Sequence, residues 1–241
     1  MIPLHDDNPT STTPVLTVAL IAACSLVFVY QAALPSQSAE MFVYKFGAIP
    51  AVVFGLASLP SELAGLPAYT SLVTSMFLHG GWMHLIGNML YLWIFGNNIE
   101  DVMGRSRFIV FYVTCGILAA LSHALIEPSS TIPMVGASGA ISGILGAYLL
   151  LFPRAQVLVL IPLGPFIRPM YVPAALVLGL WFVMQVLSGG MSLGRSGGGV
   201  AFFAHVGGFA AGMALVGVFK RPEVPFFAPR RHASWQRGDR Y

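Results

Sequence analysis

Six long apolar stretches, separated by shorter polar or basic connections, constrain this chain more than any other feature. They cover residues 14–34, 72–95, 108–126, 138–152, 171–187 and 200–219. Water cannot solvate so many runs of this kind, whereas a bilayer can, and about 20 apolar residues in helical form cross its hydrocarbon core. Composition agrees: only 9% of the 241 residues are charged, against roughly a quarter in soluble domains. The expected fold class is an all-α membrane protein, a six-transmembrane-helix bundle over 14–219. A polar segment, 1–13, precedes it and a basic tail, 220–241, follows.

Topology follows from charge. The opening segment carries Asp6 and Asp7 and no basic n-region, so 14–34 reads as a retained span rather than a cleaved signal. An even number of spans puts both termini on one side. With the termini cytoplasmic, Arg105, Arg107, Arg154, Arg168, Lys220, Arg221, Arg230, Arg231, Arg237 and Arg240 lie inside, and only Lys45 and Arg195 lie outside. The pI near 9.0 therefore reports orientation in the lipid bilayer and not a nucleic-acid partner. Cys24 and Cys115 fall within apolar spans without metal-ligand spacing, so neither a disulfide framework nor a metal is expected. The loop 35–71, with Pro50, Pro60 and Pro67, reads as a partly structured segment at the membrane interface. The tail reads as a solvated or headgroup-bound end. Without an arginine-rich transit segment or a long soluble extension, the chain is expected in a bacterial plasma membrane.

The chemistry centres on Gly136-Ala137-Ser138-Gly139-Ala140-Ile141-Ser142-Gly143. Ser138, Ser142 and Gly146 share one helix face, as do Gly139 and Gly143, so a partner helix can approach closely. One reading is a packing helix whose serines bond back to the preceding turn. The other is an exposed hydroxyl at a helix start. The fourth span is short, about 22 Å for fifteen residues at 1.5 Å rise against a core of about 30 Å. Residues 127–137 must then descend into the membrane as irregular chain, which requires enclosure by protein or a wet cavity.

Orientation brings other polar groups to the depth of Ser138. His205 lies near the outer end of the sixth span, and His79, His84 and Asn88 lie in the first half of the second. Ala204, Gly208 and Gly212 form another small-residue stripe, which would let the sixth helix approach the fourth and bring His205 to the Ser138 hydroxyl. A histidine in a span can also be a packing residue, and His79 reads as structural. His84 and Asn88, four apart on one face, can donate toward one point together with the Ser138 backbone N–H. Donors of that kind suit a tetrahedral oxyanion. All nine acidic residues lie in tails, loops or at span ends, so a serine–histidine dyad is the most that can be built. The same distribution disfavours a two-aspartate protease and a proton-coupled transporter. No H-E-x-x-H occurs, which disfavours a zinc protease.

These residues resemble the rhomboid family of intramembrane serine proteases. The resemblance spans about 14–219. It rests on Gly136-Ala137-Ser138-Gly139, on Ala204-His205-x-x-Gly208-x-x-x-Gly212, and on His79-Gly80-Gly81-Trp82-Met83-His84-Leu85-Ile86-Gly87-Asn88. It implies Ser138 as nucleophile, His205 as general base, and an oxyanion hole of His84, Asn88 and the Ser138 amide. Gly136, Gly139, His79, Gly208 and Gly212 would support them, with no cofactor. Implied partners are transmembrane protein substrates with small residues before the scissile bond. They would enter between the second and fifth helices, where Trp181 and Phe182 are candidate gate residues. Two features depart from the family pattern. Thr70-Ser71 stands where many members carry Trp-Arg, and Ser142 stands where some carry a tyrosine stacked on the histidine, leaving Tyr148 as a distant candidate to orient His205. A catalytically silent binder of transmembrane helices is the rival reading, and a channel or transporter the third. No motif speaks to oligomeric state.

Overall fold

The computed structural model describes residues 2–64, 66–163, 166–192 and 201–229. Arg195, Val200, Arg230, Arg231, Arg237 and Arg240 of the sequence argument lie outside the described residues. In chain order the elements are strand β1 (Ile2–Asp6), α1 (Val15–Ala33), α2 (Ser36–Phe46), α3 (Pro50–Val53), α4 (Ser71–Thr74), α5 (Trp82–Tyr91) and α6 (Asn97–Met103). There follow α7 (Arg105–Ile126), α8 (Ser138–Leu151), β2 (Gln156–Leu163), β3 (Phe166–Pro173), α9 (Ala174–Ser192) and α10 (Phe202–Phe219). Four helices, α1, α7, α9 and α10, are long and apolar enough to cross a membrane, and α8 is a shorter apolar helix. Their outer faces expose Leu26, Val29, Leu176, Leu187 and Val218, an apolar exterior that suits lipid and not water.

Two expectations need correction. The second apolar stretch does not form one helix from residue 72. Ser71–Phe77 makes short α and 3-10 turns, the chain extends at Leu78, and the helical rod begins only at Trp82. Gly80 and Gly81 interrupt the helix there, so His79 precedes the rod while His84 and Asn88 ride on it. A π segment, Leu92–Gly96, joins α5 to α6. The all-α class also missed a three-stranded antiparallel sheet in the order β1-β2-β3, with Ile2 opposite Leu160 and Gln156 opposite Pro173. Val157 and Val159 are fully buried between less buried neighbours, the alternation of a half-buried strand. In the sequence this pattern is masked by its continuity with apolar spans.

The sheet end of the bundle holds carboxylates inside the protein, which the acid census did not foresee. Glu100 accepts from the N–H groups of Leu16 (2.9 Å) and Thr17 (2.7 Å) and from the Thr17 hydroxyl (2.8 Å). It thereby caps the start of α1, where free amides and the helix dipole favour negative charge. Asp101 accepts from the Ser11 and Thr12 hydroxyls at 2.8 and 2.7 Å and from the Ser11 N–H at 3.0 Å. Asp6 accepts from the Tyr148 hydroxyl at the foot of α8. Residues 221–229 fold back on the bundle as well, since the Phe227 and Ala228 amides donate to the Leu150 and Leu151 carbonyls. The described part of the tail thus satisfies the last carbonyls of α8, which a solvated tail would leave to water.

At the core lies α8, buried at every residue from Gly139 to Tyr148. Its most extensive partner is α10, followed in the bundle by the α7–α10 contact. Glycines make that contact possible. A Cβ on Gly208 would strike the Gly139 carbonyl, one on Gly212 the Gly143 backbone, and one on Gly146 the Phe209 carbonyl. Both small-residue stripes read from the sequence therefore meet across one helix pair. Of the chain before α8, the last residues are tied to their neighbours, Met134 bridging to Ala48 and the Gly136 N–H donating to the Ser75 carbonyl at 2.8 Å, while Pro128, Ser129, Thr131 and Ile132 are exposed.

Gly212→Val is expected to cost about 3 kcal/mol or more by overpacking. The neutral control is Gly190→Ala, where an added methyl meets nothing within 4 Å. Thermal unfolding of both variants in micelles checks this. Burial lifts the Asp6 carboxyl to about 7, so the folded state favours its protonated form. The sign follows from the direction of that shift: the contribution is fully present below pH ~4, falls as pH rises and is lost above ~7. Asp6→Asn should remove this component, and amide exchange of β1 and β2 measured from pH 4 to 8 should become flatter than in the parent.

Candidate functional site

Ser138 is the first residue of α8, so its N–H has no intrahelical acceptor. Gly208, where a Cβ would strike the Gly139 carbonyl, lets α10 lie against this turn, which brings His205 Nε2 to 2.8 Å from Ser138 Oγ. The imidazole is 9% exposed, and Ser138 is half-buried. The Ser142 hydroxyl bonds back to the Ser138 carbonyl at 2.6 Å. Both readings of the octapeptide are thus realised, by different serines: Ser142 satisfies its own helix and Ser138 faces the neighbouring one.

His205 Nδ1 meets Gln185 Oε1, on α9, at 2.7 Å. An amide oxygen only accepts, so Nδ1 carries the proton and Nε2 is left with a lone pair for the Ser138 hydroxyl. The Trp181 ring lies 5.9 Å from the imidazole and Phe182 stacks on Phe209 at 4.5 Å. These two aromatic residues therefore hold α9 on α10. Tyr148, the distant candidate for orienting His205, is engaged elsewhere, with its hydroxyl on Asp6 and its ring against Phe95 and Phe152. Gln185 was missed by the sequence reading. Its available signal was a lone amide in the apolar run Ala174–Leu187, one turn from Trp181 on the same face. An unpartnered amide there would be costly in lipid.

On the other side of Ser138 stands α5. The Gly80 N–H donates to His84 Nδ1 at 3.3 Å, which leaves the proton on Nε2. Gly136, with φ +121°, runs directly beside that ring: a Cβ there would lie 2.7 Å from His84 Cε1, 2.8 Å from Nε2 and 3.7 Å from Asn88 Nδ2. Asn88 uses one N–H on the His84 carbonyl at 3.0 Å and keeps a second. His79 sits behind His84, fully buried, with ring centroids 5.2 Å apart. The Gln31 amide donates to its carbonyl at 2.9 Å. Thr70 and Ser71 donate to the Pro67 and Ala68 carbonyls and so hold the first loop through local turns.

The assembled groups are a hydroxyl, an imidazole lone pair directed at it, and two side-chain N–H sources beside the glycine two residues before it. In general chemistry the imidazole takes the hydroxyl proton as the oxygen attacks a carbonyl, and the N–H groups stabilise the resulting oxyanion.

The family model described as the Rhomboid domain matches residues 67–222. Rhomboid protein 1, mitochondrial, of Saccharomyces cerevisiae is 31% identical over 188 residues, covering 71% of this chain and 51% of that protein. Rhomboid-like protein 11, chloroplastic, of Arabidopsis thaliana is 31% identical over 153 residues, covering 62% of this chain and 52% of that protein. Rhomboid protease GluP of Bacillus subtilis is 41% identical over 78 residues, covering 32% of this chain and 15% of that protein. The aligned part is thus about half, or less, of these relatives' own length.

Gly136→Ala should strain the backbone and push the His84 ring aside, at a cost of about 1–3 kcal/mol. Thermal unfolding and the ¹⁵N shifts of the His84 ring nitrogens report the two effects separately.

Proposed function

The chain belongs to the rhomboid family, and on that premise we propose that it is an intramembrane serine protease that cuts transmembrane segments of other membrane proteins. The single observation that carries this reading is the 2.8 Å approach of His205 Nε2 to Ser138 Oγ. Ser138 attacks the scissile carbonyl while His205 takes its proton and then passes it to the leaving amine, and water hydrolyses the acyl-enzyme. The Ser138 N–H, His84 Nε2–H and the free N–H of Asn88 receive the oxyanion, each such donor being worth about 3–4 kcal/mol. Gly136, Gly139, Gly208 and Gly212 act by close approach, and His79 by packing behind His84.

The proposed bundle has six spans. It counts the π-interrupted rod over 82–103 and the short α8 together with the four long helices. In the positive-inside orientation the sheet end is cytoplasmic and Ser138 lies in the outer half of the membrane. A substrate helix must unwind there before its carbonyls can be attacked, because helical carbonyls are already hydrogen-bonded. Bacterial plasma membrane is the proposed location. The relatives also include proteins named as mitochondrial and chloroplastic, so membrane fractionation in the source cell decides that point. The silent-binder reading has no use for a polarised hydroxyl and gains nothing from the tautomer that Gln185 selects.

Purified protein in lipid should cleave a model transmembrane substrate and be labelled by a fluorophosphonate. Ser138→Ala should abolish labelling and lower cleavage by at least about 10³-fold, and His205→Ala should do nearly the same. Equal cleavage by the parent and by Ser138→Ala would sink the mechanism.

A further inference from the structure

Resting on the protease reading, we propose that Gln185 is the positioning residue of the site. It fixes the tautomer and the ring plane of His205 from a third helix, in the place where soluble triads put a carboxylate. A dyad lacks a group that fixes the imidazole. A neutral imidazole has two tautomers, and only the one protonated at Nδ1 can accept the Ser138 proton at Nε2. Left alone, the ring would populate both and would turn about its side-chain bonds. With Oε1 turned to Nδ1 at 2.7 Å, Gln185 accepts from the productive tautomer, and it would serve the other only with its amide turned over.

The choice of an amide over a carboxylate follows from place. Glu100, Asp101 and Asp6 are buried at the sheet end, where backbone amides and hydroxyls satisfy Glu100 and Asp101 and the Tyr148 hydroxyl reaches Asp6. Beside His205 on α9 lie Gln185 and the Trp181 ring, which packs in turn on Phe209 of α10, so aromatic surface surrounds the pair. An ionised carboxylate would there be costly to desolvate whenever the imidazole is neutral. A neutral acceptor orients the ring without that cost, although it stabilises the transient imidazolium less than a charge would.

The support crosses between helices, so it depends on how α9 is seated. Only Ala174, Val177, Leu178 and Gly189 of α9 are buried among its nineteen residues. At its foot the Ala174 and Ala175 amides donate to the Ala155 and Pro153 carbonyls, which ties α9 to the chain leaving α8. Around its middle the Trp181, Phe182 and Gln185 contacts hold it to α10. The ring of His205 is thus braced on its face by Trp181 and at its edge by Gln185.

The test compares three variants with the parent in the same lipid. Gln185→Leu removes the acceptor at nearly constant volume and should lower kcat about 10- to 100-fold, part of the general-base contribution, with KM little changed. Gln185→Glu keeps an oxygen at the same reach but brings the desolvation cost, so it should recover only part of the loss. In the ¹⁵N spectrum of His205 the parent should show a protonated Nδ1 and an unprotonated Nε2, and Gln185→Leu should show a mixture. Unchanged kcat in a folded Gln185→Leu protein overturns the proposal, as does a loss confined to KM or matched by thermal unfolding at the assay temperature. Ser138→Ala separates this proposal from the one beneath it: if that variant still cleaves, the protease reading itself fails, whatever Gln185 does.

Discussion

Everything at the site depends on two helix backbones touching. Where Gly139 and Gly143 of α8 meet Gly208 and Gly212 of α10, there is no room for even one methyl group. In lipid no hydrophobic force drives helices together, so van der Waals contact between closely opposed backbones has to hold them. That contact also sets the range of the two polar side chains at its end. The fixed register of the two backbones holds the Ser138 hydroxyl and the His205 imidazole at 2.8 Å.

The two ends of the bundle solve the problem of polar groups in apolar surroundings differently. At the sheet end, carboxylates on α6 are saturated by amides and hydroxyls from the chain entering α1, and the strand before it is stitched to β2. Charge is fully answered there, and the result is anchorage. At the far end the groups are neutral and only partly answered. Ser138 offers its hydroxyl to one nitrogen, Asn88 retains an N–H, and His84 keeps Nε2 directed along the Gly136 backbone. The hydrogen-bonding capacity that Ser138, His84 and Asn88 keep at one point suits a ligand.

Much of this was legible in the residues. The spans, the two small-residue stripes, the shortness of α8 and the need to enclose the chain before it all follow from hydropathy, helical period and the cost of unpaired backbone in lipid. The pairing of Ser138 with His205 could be anticipated because depth and helix face are one-dimensional properties that the sequence encodes. The glycine interruption at Gly80 and Gly81 was visible too, but its apolar neighbours outweighed it, and the start of α5 was read too early. Strands β2 and β3 were hidden because an apolar run next to a span has the same hydropathy whether it is helix or sheet.

Sequence alone therefore determined which apolar stretches carry Ser138, His205, His84 and Asn88, because position along the chain is read directly. It did not determine which polar group answers which. Gln185 and Tyr148 both lie on apolar helices with a free polar tip, and nothing local distinguishes the one that meets His205 from the one that meets Asp6. That choice is made by the rotation of α9 and α8 about their axes, set by Phe182 on Phe209 and by glycine contacts between residues some 70 positions apart. Pairings between side chains are properties of the packed helices, and they exist only once the helices have packed.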